Sequence, residues 1–177
     1  MHIQVNDHIS LSAPGESDLP SLVEWLKDRD VHERTLQIPY PYTPDDASAF
    51  LELVGTRSHK FGRLMDWAIR LDEGKLIGMI SFQGTSGFAN GHDEIGFWLA
   101  KPYWGQGIMT EVVEAFIGLA FDTYRLTRLE AKIFLSNLSS KRVVSKCGFK
   151  QSGKVSNAYF KDGQPIDAEL FVIEKNW

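Results

Sequence analysis

The sequence of 177 residues has little of several features that mark large classes of protein. Its single cysteine, Cys147, excludes an internal disulfide framework and is typical of a reducing compartment. No run approaches the roughly 18 consecutive apolar residues of a membrane-spanning helix. The first residues, Met1–His8, lack the basic and apolar regions of a secretory signal. We therefore expect a cytoplasmic protein without a membrane anchor.

An excess of positive charge is also missing. The chain carries 19 Lys and Arg against 23 Asp and Glu, which gives a net charge of −4. Because proteins that bind nucleic acid usually carry a basic surface, we expect no direct nucleic-acid binding. No spacing of His, Cys and carboxylate residues indicates a metal site, so we expect none. Without repeats or linkers, the length predicts one domain, which we place at residues 8–174.

Hydrophobic periodicity predicts an alternation of strands and helices. Helices are expected from Ser17 or Asp18, from Thr43 with Pro44 as its first residue, from Gly107, and from about Ser139 to Lys146. Strands are expected at His8–Leu11, Met65–Leu71, Leu76–Phe82, Glu94–Ala100 and Arg128–Leu135, and near Lys150–Phe160 and Ala168–Lys175. This order predicts a mixed α/β sheet with helices on its faces.

Two glycines, Gly105 and Gly107, stand between an apolar strand and a long amphipathic helix. Amide N–H groups at such a helix start form an anion site, which predicts a bound phosphate or pyrophosphate. Ile108 after the second glycine excludes a Walker A loop, and Thr110 excludes the dinucleotide fingerprint. The alternative is that the glycines only turn the strand into the helix.

A second junction, Asn137–Phe149, places Asn137, Ser139 and Ser140 at the start of the last short helix. Small polar side chains there can contact a ligand. They are also the residues that most often cap a helix, because their oxygens accept hydrogen bonds from its free N–H groups.

The segments Glu94–Leu99, Trp104–Glu111 and Asn137–Phe149 resemble, in order and spacing, motifs of the GNAT superfamily of acetyl-CoA-dependent N-acetyltransferases. The similarity is greatest to the RimJ/RimL branch, which acetylates protein N-termini and some small amines, and runs from about His8 to Glu174. The resemblance implies a single-domain, mixed and mostly antiparallel twisted sheet flanked by helices. It also implies acetyl-CoA as co-substrate and no metal.

Carried over position by position, the resemblance assigns donor-binding residues in three places. Around the CoA pyrophosphate it places Trp104, Gly105, Gln106, Gly107, Ile108, Met109 and Thr110. Along the pantetheine arm it places Trp98, Leu99 and Ala100, with Asn137 and Ser140 near the pantetheine and the sulfur. The family often has Arg or Gln at the position of Trp104, and Gly or Ala at that of Met109. We expect these departures to alter packing more than function.

Two side chains are candidates for the chemistry. Ser140 would donate a hydrogen bond to the leaving thiolate, and its alternative role is to cap the helix. Glu94 would be the general base, directly or through water, and its alternative is a solvated charge at a strand end. A backbone N–H in Phe97–Leu99 would stabilise the oxyanion. Cys147 is expected to be a small buried residue with no nucleophilic role.

The expected function is acetyl transfer to a primary amine by direct attack in a ternary complex. The acceptor would be a ribosomal-protein-type N-terminus or a small amine, and the protein a monomer or homodimer. The alternative is a non-catalytic acyl-CoA-binding sensor or scaffold.

Several aromatic and acidic residues bear on the acceptor site. The aromatic residues would wall it or belong to the core: Tyr40, Tyr42, Trp67 and Phe82. The acids would attract a cationic acceptor, or only cap helices and solvate the surface: Asp28, Asp30, Glu33, Asp45, Asp46 and Glu52.

Overall fold

The computed structural model describes residues 1–72, 74–85 and 87–175 of the chain. In chain order its strands are β1 (His2–Gln4), β2 (Ile9–Ser12), β3 (Asp66–Leu71), β4 (Lys75–Phe82), β5 (His92–Leu99), β6 (Arg128–Phe134), β7 (Lys150–Lys161) and β8 (Gln164–Glu174). Its α-helices are α1 (Leu19–Leu26), α2 (Arg29–Arg34), α3 (Pro44–Phe61), α4 (Ile108–Gly118) and α5 (Leu138–Lys146).

The first of two compact units combines Met1–Phe82 with Phe97–Ile108. In it β1, β2, β3 and β4 pair antiparallel in chain order. The last residues of β5 lie beside β4, and the Ala100 N–H donates to the Ile77 carbonyl at 2.8 Å. One core cluster in this unit contains residues of α1, α2, α3, β3, β4 and the loop before α3: Leu22, Leu26, Val31, Tyr42, Ala47, Ala68, Leu76 and Met79.

The second unit combines residues 83–96 with the chain from Met109 onward. The start of β5 pairs parallel with β6, and β8 runs antiparallel to both β6 and β7. Helix α4 buries one apolar face and continues as a π-helical turn over Leu119–Thr123. The residues predicted for that face are all buried: Met109, Val112, Val113, Phe116 and Ala120.

The predicted fold class, a mixed and mostly antiparallel α/β arrangement with helices, is confirmed. The helix predicted at Thr43 is also confirmed, since the Thr43 and Asp46 side chains each accept from the other residue's backbone N–H. Strand β1 and helix α2 were not predicted. They have 3 and 6 residues, too few for periodicity to show. The boundary at residues 8–174 stays a prediction.

Helix α1 begins where the sequence predicts it, with Asp18 at its N-cap position, but the Asp18 side chain makes no cap hydrogen bond to that helix. Instead its carboxylate accepts hydrogen bonds from both terminal nitrogens of Arg70 on β3, at 2.6 and 2.9 Å. Arg70 also donates to the carbonyls of Ala13 and Gly74. The Asp18 and Arg70 side chains are only 4% and 15% exposed, so neither charge has water as a ready substitute partner.

We expect Asp18→Ala to lower the free energy of unfolding by about 3–5 kcal/mol, because it leaves the Arg70 charge buried without its partner. Chemical denaturation measures this change. Glu33→Ala is the control, since the pair of Glu33 with Arg29 is largely exposed and its loss should cost under about 0.5 kcal/mol. Equal, small effects of the two variants would contradict the structural role of the buried pair.

Candidate active site

The predicted anion site is a turn with two glycines that leads into α4. After a 3-10 turn over Lys101–Tyr103, Gly105 and Gly107 take φ angles of +75° and +83°. Residues that carry a Cβ rarely adopt such angles. A Cβ built on either glycine would meet no atom within 4 Å. The backbone is therefore open to a ligand beside the first N–H groups of α4, which have no intrahelical acceptor.

The side chain of Trp104 braces this turn. Its indole N–H donates to the Leu99 carbonyl at 2.6 Å, and its ring lies against the core cluster of the first unit. The Arg34 guanidinium stacks on the ring at 4.7 Å from its centroid. Helix α2 makes a second contact with the turn through an ion pair between Asp30 and Lys101. The indole N–H of Trp104 is therefore engaged within the protein.

The end of β5 offers backbone rather than side chains. Leu99 and Ala100 are buried, and Trp98 is half-buried. The register between β5 and β6 covers only His92–Glu94 and Arg128–Glu130, although both strands continue for several residues. Within the described residues, β5 has no further register partner on that edge.

At the start of α5, the structure shows which side chain caps the helix. The Asn137 side-chain oxygen accepts from the Ser140 N–H at 3.2 Å and from the Ser139 hydroxyl at 3.0 Å. Asn137 is thus the cap, and the alternative role of Ser140 as a capping side chain is wrong. Among the described residues the half-buried Ser140 hydroxyl has no hydrogen-bond partner.

Glu94 is not the solvated charge of the alternative interpretation. Its side chain is 12% exposed and is paired on both oxygens. The Lys132 ammonium lies 2.7 Å from Oε2, and the Tyr159 hydroxyl donates to Oε1 at 2.9 Å. Neither partner was predicted, since no sequence spacing links β5 with β6 and β7. Burial, and then the negative charge of Glu94, raise the pKa of the Tyr159 hydroxyl, so it remains a donor.

The neighbouring carboxylate, Asp93, is only 2% exposed and faces the backbone. It accepts from the N–H groups of Gly84, Thr85 and Glu94 at 2.8–3.0 Å. These bonds tie the segment after β4 to the start of β5. The sequence analysis assigns no role to Asp93, although a carboxylate beside a glycine-rich loop is a common acceptor for loop N–H groups.

The predicted residues are divided between the two units. The first unit holds Trp98, Leu99, Ala100, Trp104, Gly105, Gln106, Gly107 and Ile108, and the second holds Glu94, Met109, Thr110, Asn137 and Ser140. In the second group the Thr110 carbonyl accepts from the Cys147 thiol at 3.5 Å, which links the start of α4 to the end of α5.

The acidic residues expected to attract a cationic acceptor are mostly engaged elsewhere. Asp28 caps α2, Asp30 pairs with Lys101 and Arg34, and Asp46 belongs to the cap of α3. Their charges are compensated locally, so the alternative interpretation of helix caps and surface charges holds for them. It also holds for Glu33, which is paired with Arg29.

The four aromatic residues divide between core and surface. Trp67 and Phe82 are fully buried and belong to the core, so they do not wall an open site. Tyr42 is also buried, and this burial raises the pKa of its hydroxyl to about 12. Tyr40 is 50% exposed and its ring lies 5.4 Å from that of His32. Of the four, Tyr40 alone is placed to meet a ligand from solvent.

Over residues 1–72, 74–85 and 87–175, no helix combines the length and the apolar character needed to cross a membrane. The same part of the chain contains no group of three or more His, Cys, Asp or Glu placed to hold a metal ion.

Sequence comparison connects this arrangement to known proteins. Residues 8–150 match the family described as acetyltransferase (GNAT) domain. "Putative ribosomal N-acetyltransferase YdaF" of Bacillus subtilis (strain 168) is 31% identical over 98% of this chain and 96% of its own. "Ribosomal-protein-serine acetyltransferase" of Escherichia coli (strain K12) is 26% identical over 96% of this chain and 94% of its own. "Uncharacterized N-acetyltransferase YoaA" of Bacillus subtilis (strain 168) is 30% identical, and the match spans 62% of each chain.

Structure comparison gives the same fold. Microcin C7 self immunity acetyltransferase MccE, solved in complex with acetyl-CoA and AMP, superposes with a TM-score of 0.87. The match covers 97% of this chain and 94% of MccE at 22% sequence identity, so this likeness establishes the fold. Together with the family match over residues 8–150 and the full-length similarity to YdaF, it shows that this chain belongs to the GNAT acetyltransferase family, close to its RimJ/RimL branch.

Proposed function

We propose that this protein is an acetyl-CoA-dependent N-acetyltransferase that acts on a primary amine. The observation that carries the proposal is the turn before α4, where Gly105 and Gly107 hold positive φ angles with open space above each Cα. A pyrophosphate needs this combination of backbone N–H groups, helix dipole and absent side chains. MccE, with the same fold, was solved with acetyl-CoA.

The donor arm would extend from this turn along the end of β5. Because Leu99 and Ala100 are buried, the strand would bind pantetheine through its backbone groups, as it would bind an added strand. An N–H of Phe97–Leu99 would then donate to the carbonyl oxygen of the thioester. That bond strengthens as the oxygen becomes negative in the tetrahedral intermediate.

For direct attack the protein has two tasks: to position the amine beside the thioester and to accept the proton that the amine loses. The neutral amine attacks the thioester carbon, the C–N bond forms, and the C–S bond breaks as the intermediate collapses. Holding the two reactants as neighbours supplies about 7–11 kcal/mol of the barrier. Glu94 would accept the proton lost by the amine, directly or through water, and the Ser140 hydroxyl would donate a hydrogen bond to the departing thiolate.

The acceptor we propose is the N-terminal amine of a protein of ribosomal type, or a small amine. Support comes from the names of relatives, since YdaF is named for ribosomal N-acetylation and the Escherichia coli relative for a ribosomal-protein serine. An α-amine has a pKa near 8, so an appreciable fraction is neutral at physiological pH, and the demands on a base are modest.

The function is tested by release of the CoA thiol across peptides that begin with Ser, Ala or Met and a set of small amines. We expect acetyl-CoA to raise the melting temperature of the protein by mass action and to be consumed with one class of acceptor. Gly107→Glu should abolish binding and turnover, because it places a negative charge where the pyrophosphate lies. Gly107→Ala strains the same φ angle of +83° without the charge and should keep most of the affinity.

Unchanged acetyl-CoA affinity in a folded Gly107→Glu protein would contradict the donor site. Tight binding of acetyl-CoA without turnover of any acceptor would instead identify a non-catalytic acyl-CoA sensor.

Ser140→Ala tests the proposed thiolate donor. We expect kcat to fall about tenfold or more with little change in the KM for acetyl-CoA, because the lost hydrogen bond is to a charge that develops during the reaction. The free energy of unfolding should stay nearly constant, since Asn137 supplies the cap. Asn137→Ala is the matched variant and should lower that free energy by about 0.5–2 kcal/mol. An unchanged kcat in Ser140→Ala would remove the residue from the mechanism.

Direct attack also predicts that the cysteine is dispensable. Burial, and then the charge of Glu114, raise the pKa of the Cys147 thiol to about 11. At pH 8 about one thiol in a thousand is ionised, and that fraction grows about tenfold for each further pH unit. We expect slow labelling by a thiol reagent in the native protein, fast labelling in denaturant, and full acetyl transfer by Cys147→Ala. Rapid native labelling and an inactive alanine variant would indicate an acyl-cysteine intermediate.

A further inference from the structure

Two side chains of different character hold Glu94: the Lys132 ammonium forms an ion pair with it, and the neutral Tyr159 hydroxyl donates a hydrogen bond to it. Lys132 supplies a compact charge on a flexible stem, which fixes the direction of a carboxylate poorly. The Tyr159 ring has two side-chain torsions and packs edge-on against Phe134, with ring centroids 5.9 Å apart and an interplanar angle of 63°. Its hydroxyl therefore reaches Oε1 of Glu94 from a fixed position.

An irregularity in β7 delivers Tyr159 to that position. Val155 lies opposite Ala168 and Tyr159 lies opposite Ile166, so residues 156–158 all face Asp167. In an unbroken antiparallel ladder that starts from Val155, the partner of Ile166 would be Asn157. The bulge thus replaces a short amide side chain with a tyrosine at this place on the sheet, which is a known use of β-bulges next to functional sites.

The bulge is itself held by a side chain. Asn157 adopts a φ angle of +50°, and its backbone N–H donates to the Asp167 carboxylate at 2.8 Å. The next aromatic residue along β7, Phe160, points away and is 73% exposed. Alternation along the strand therefore turns Tyr159 alone toward Glu94.

We infer that Tyr159 is a positioning residue that aims the Glu94 carboxylate at the attacking amine, and that the Asn157–Asp167 bulge exists to place it. The inference rests on the proposed role of Glu94 as base. Lys132 balances the charge of the carboxylate, whereas the neutral tyrosine sets its orientation. The remaining lone pairs of the carboxylate then face the acceptor or a bridging water.

The test is a double-mutant cycle of Tyr159→Phe and Glu94→Gln, assayed with the N-terminal peptide that the panel shows to be acetylated fastest. Tyr159→Phe keeps the ring and removes only the hydroxyl. We expect kcat to fall about tenfold with the KM for acetyl-CoA unchanged, because one hydrogen bond to a charged group is lost. In the Glu94→Gln background the same substitution should cost nothing further, since Tyr159 acts only through the carboxylate.

Two controls separate positioning from general damage. Phe160→Ala alters the neighbouring exposed side chain and should leave kcat and the melting temperature unchanged. Asn157→Gly accepts the positive φ angle and should keep the bulge, whereas Asn157→Val opposes it and should reproduce the effect of Tyr159→Phe on kcat.

The possible results distinguish the inference from the function on which it rests. A slow Glu94→Gln enzyme with an unimpaired Tyr159→Phe enzyme would overturn the positioning role alone. Equal losses from Tyr159→Phe in both backgrounds would also overturn it, since they indicate a role independent of Glu94. A fully active Glu94→Gln enzyme, or no acetylated peptide in the panel, would overturn the proposed base or function, and the inference with it.

Discussion

Asp18, Asp93 and Glu94 each carry a carboxylate that is largely removed from solvent, and each accepts hydrogen bonds from donors elsewhere in the chain. Burying such a charge without partners would cost several kcal/mol. The folded chain must therefore bring distant donors to it, from Arg70, from the backbone after β4, and from Lys132 and Tyr159. This requirement accounts for the positions of these donors around the three carboxylates.

The consequence is clearest at the start of β5, where Asp93 and Glu94 are adjacent. Successive side chains of a strand point to opposite faces, so the two carboxylates serve different purposes. Asp93 accepts hydrogen bonds from backbone N–H groups and so fixes the path of the chain. Glu94 is held by two side chains, those of Lys132 and Tyr159, and is the proposed base.

The glycine turn shows a second kind of support, by packing. Its proposed function requires exposed backbone, and backbone at glycine is conformationally free. The protein restrains it from behind, where Trp104 and Arg34 stack and the indole N–H binds the Leu99 carbonyl. Trp104, which departs from the common family pattern, thus contributes to the shape of the turn.

The elements with long hydrophobic periods, the cap at Thr43, the glycine turn and the family could all be predicted from the sequence, because these depend on neighbours along the chain. The sequence did not determine α2 or β1, which are too short for a period, nor the role of Asp18, whose partner Arg70 is 52 residues away. The cap of α5 by Asn137 is a local contact between residues three apart, although the sequence left it open between Asn137 and Ser140. The contacts of Lys132 and Tyr159 with Glu94 exist only in the folded chain. They depend on which side chains different strands and a bulge bring within hydrogen-bond distance, and no local spacing encodes that distance.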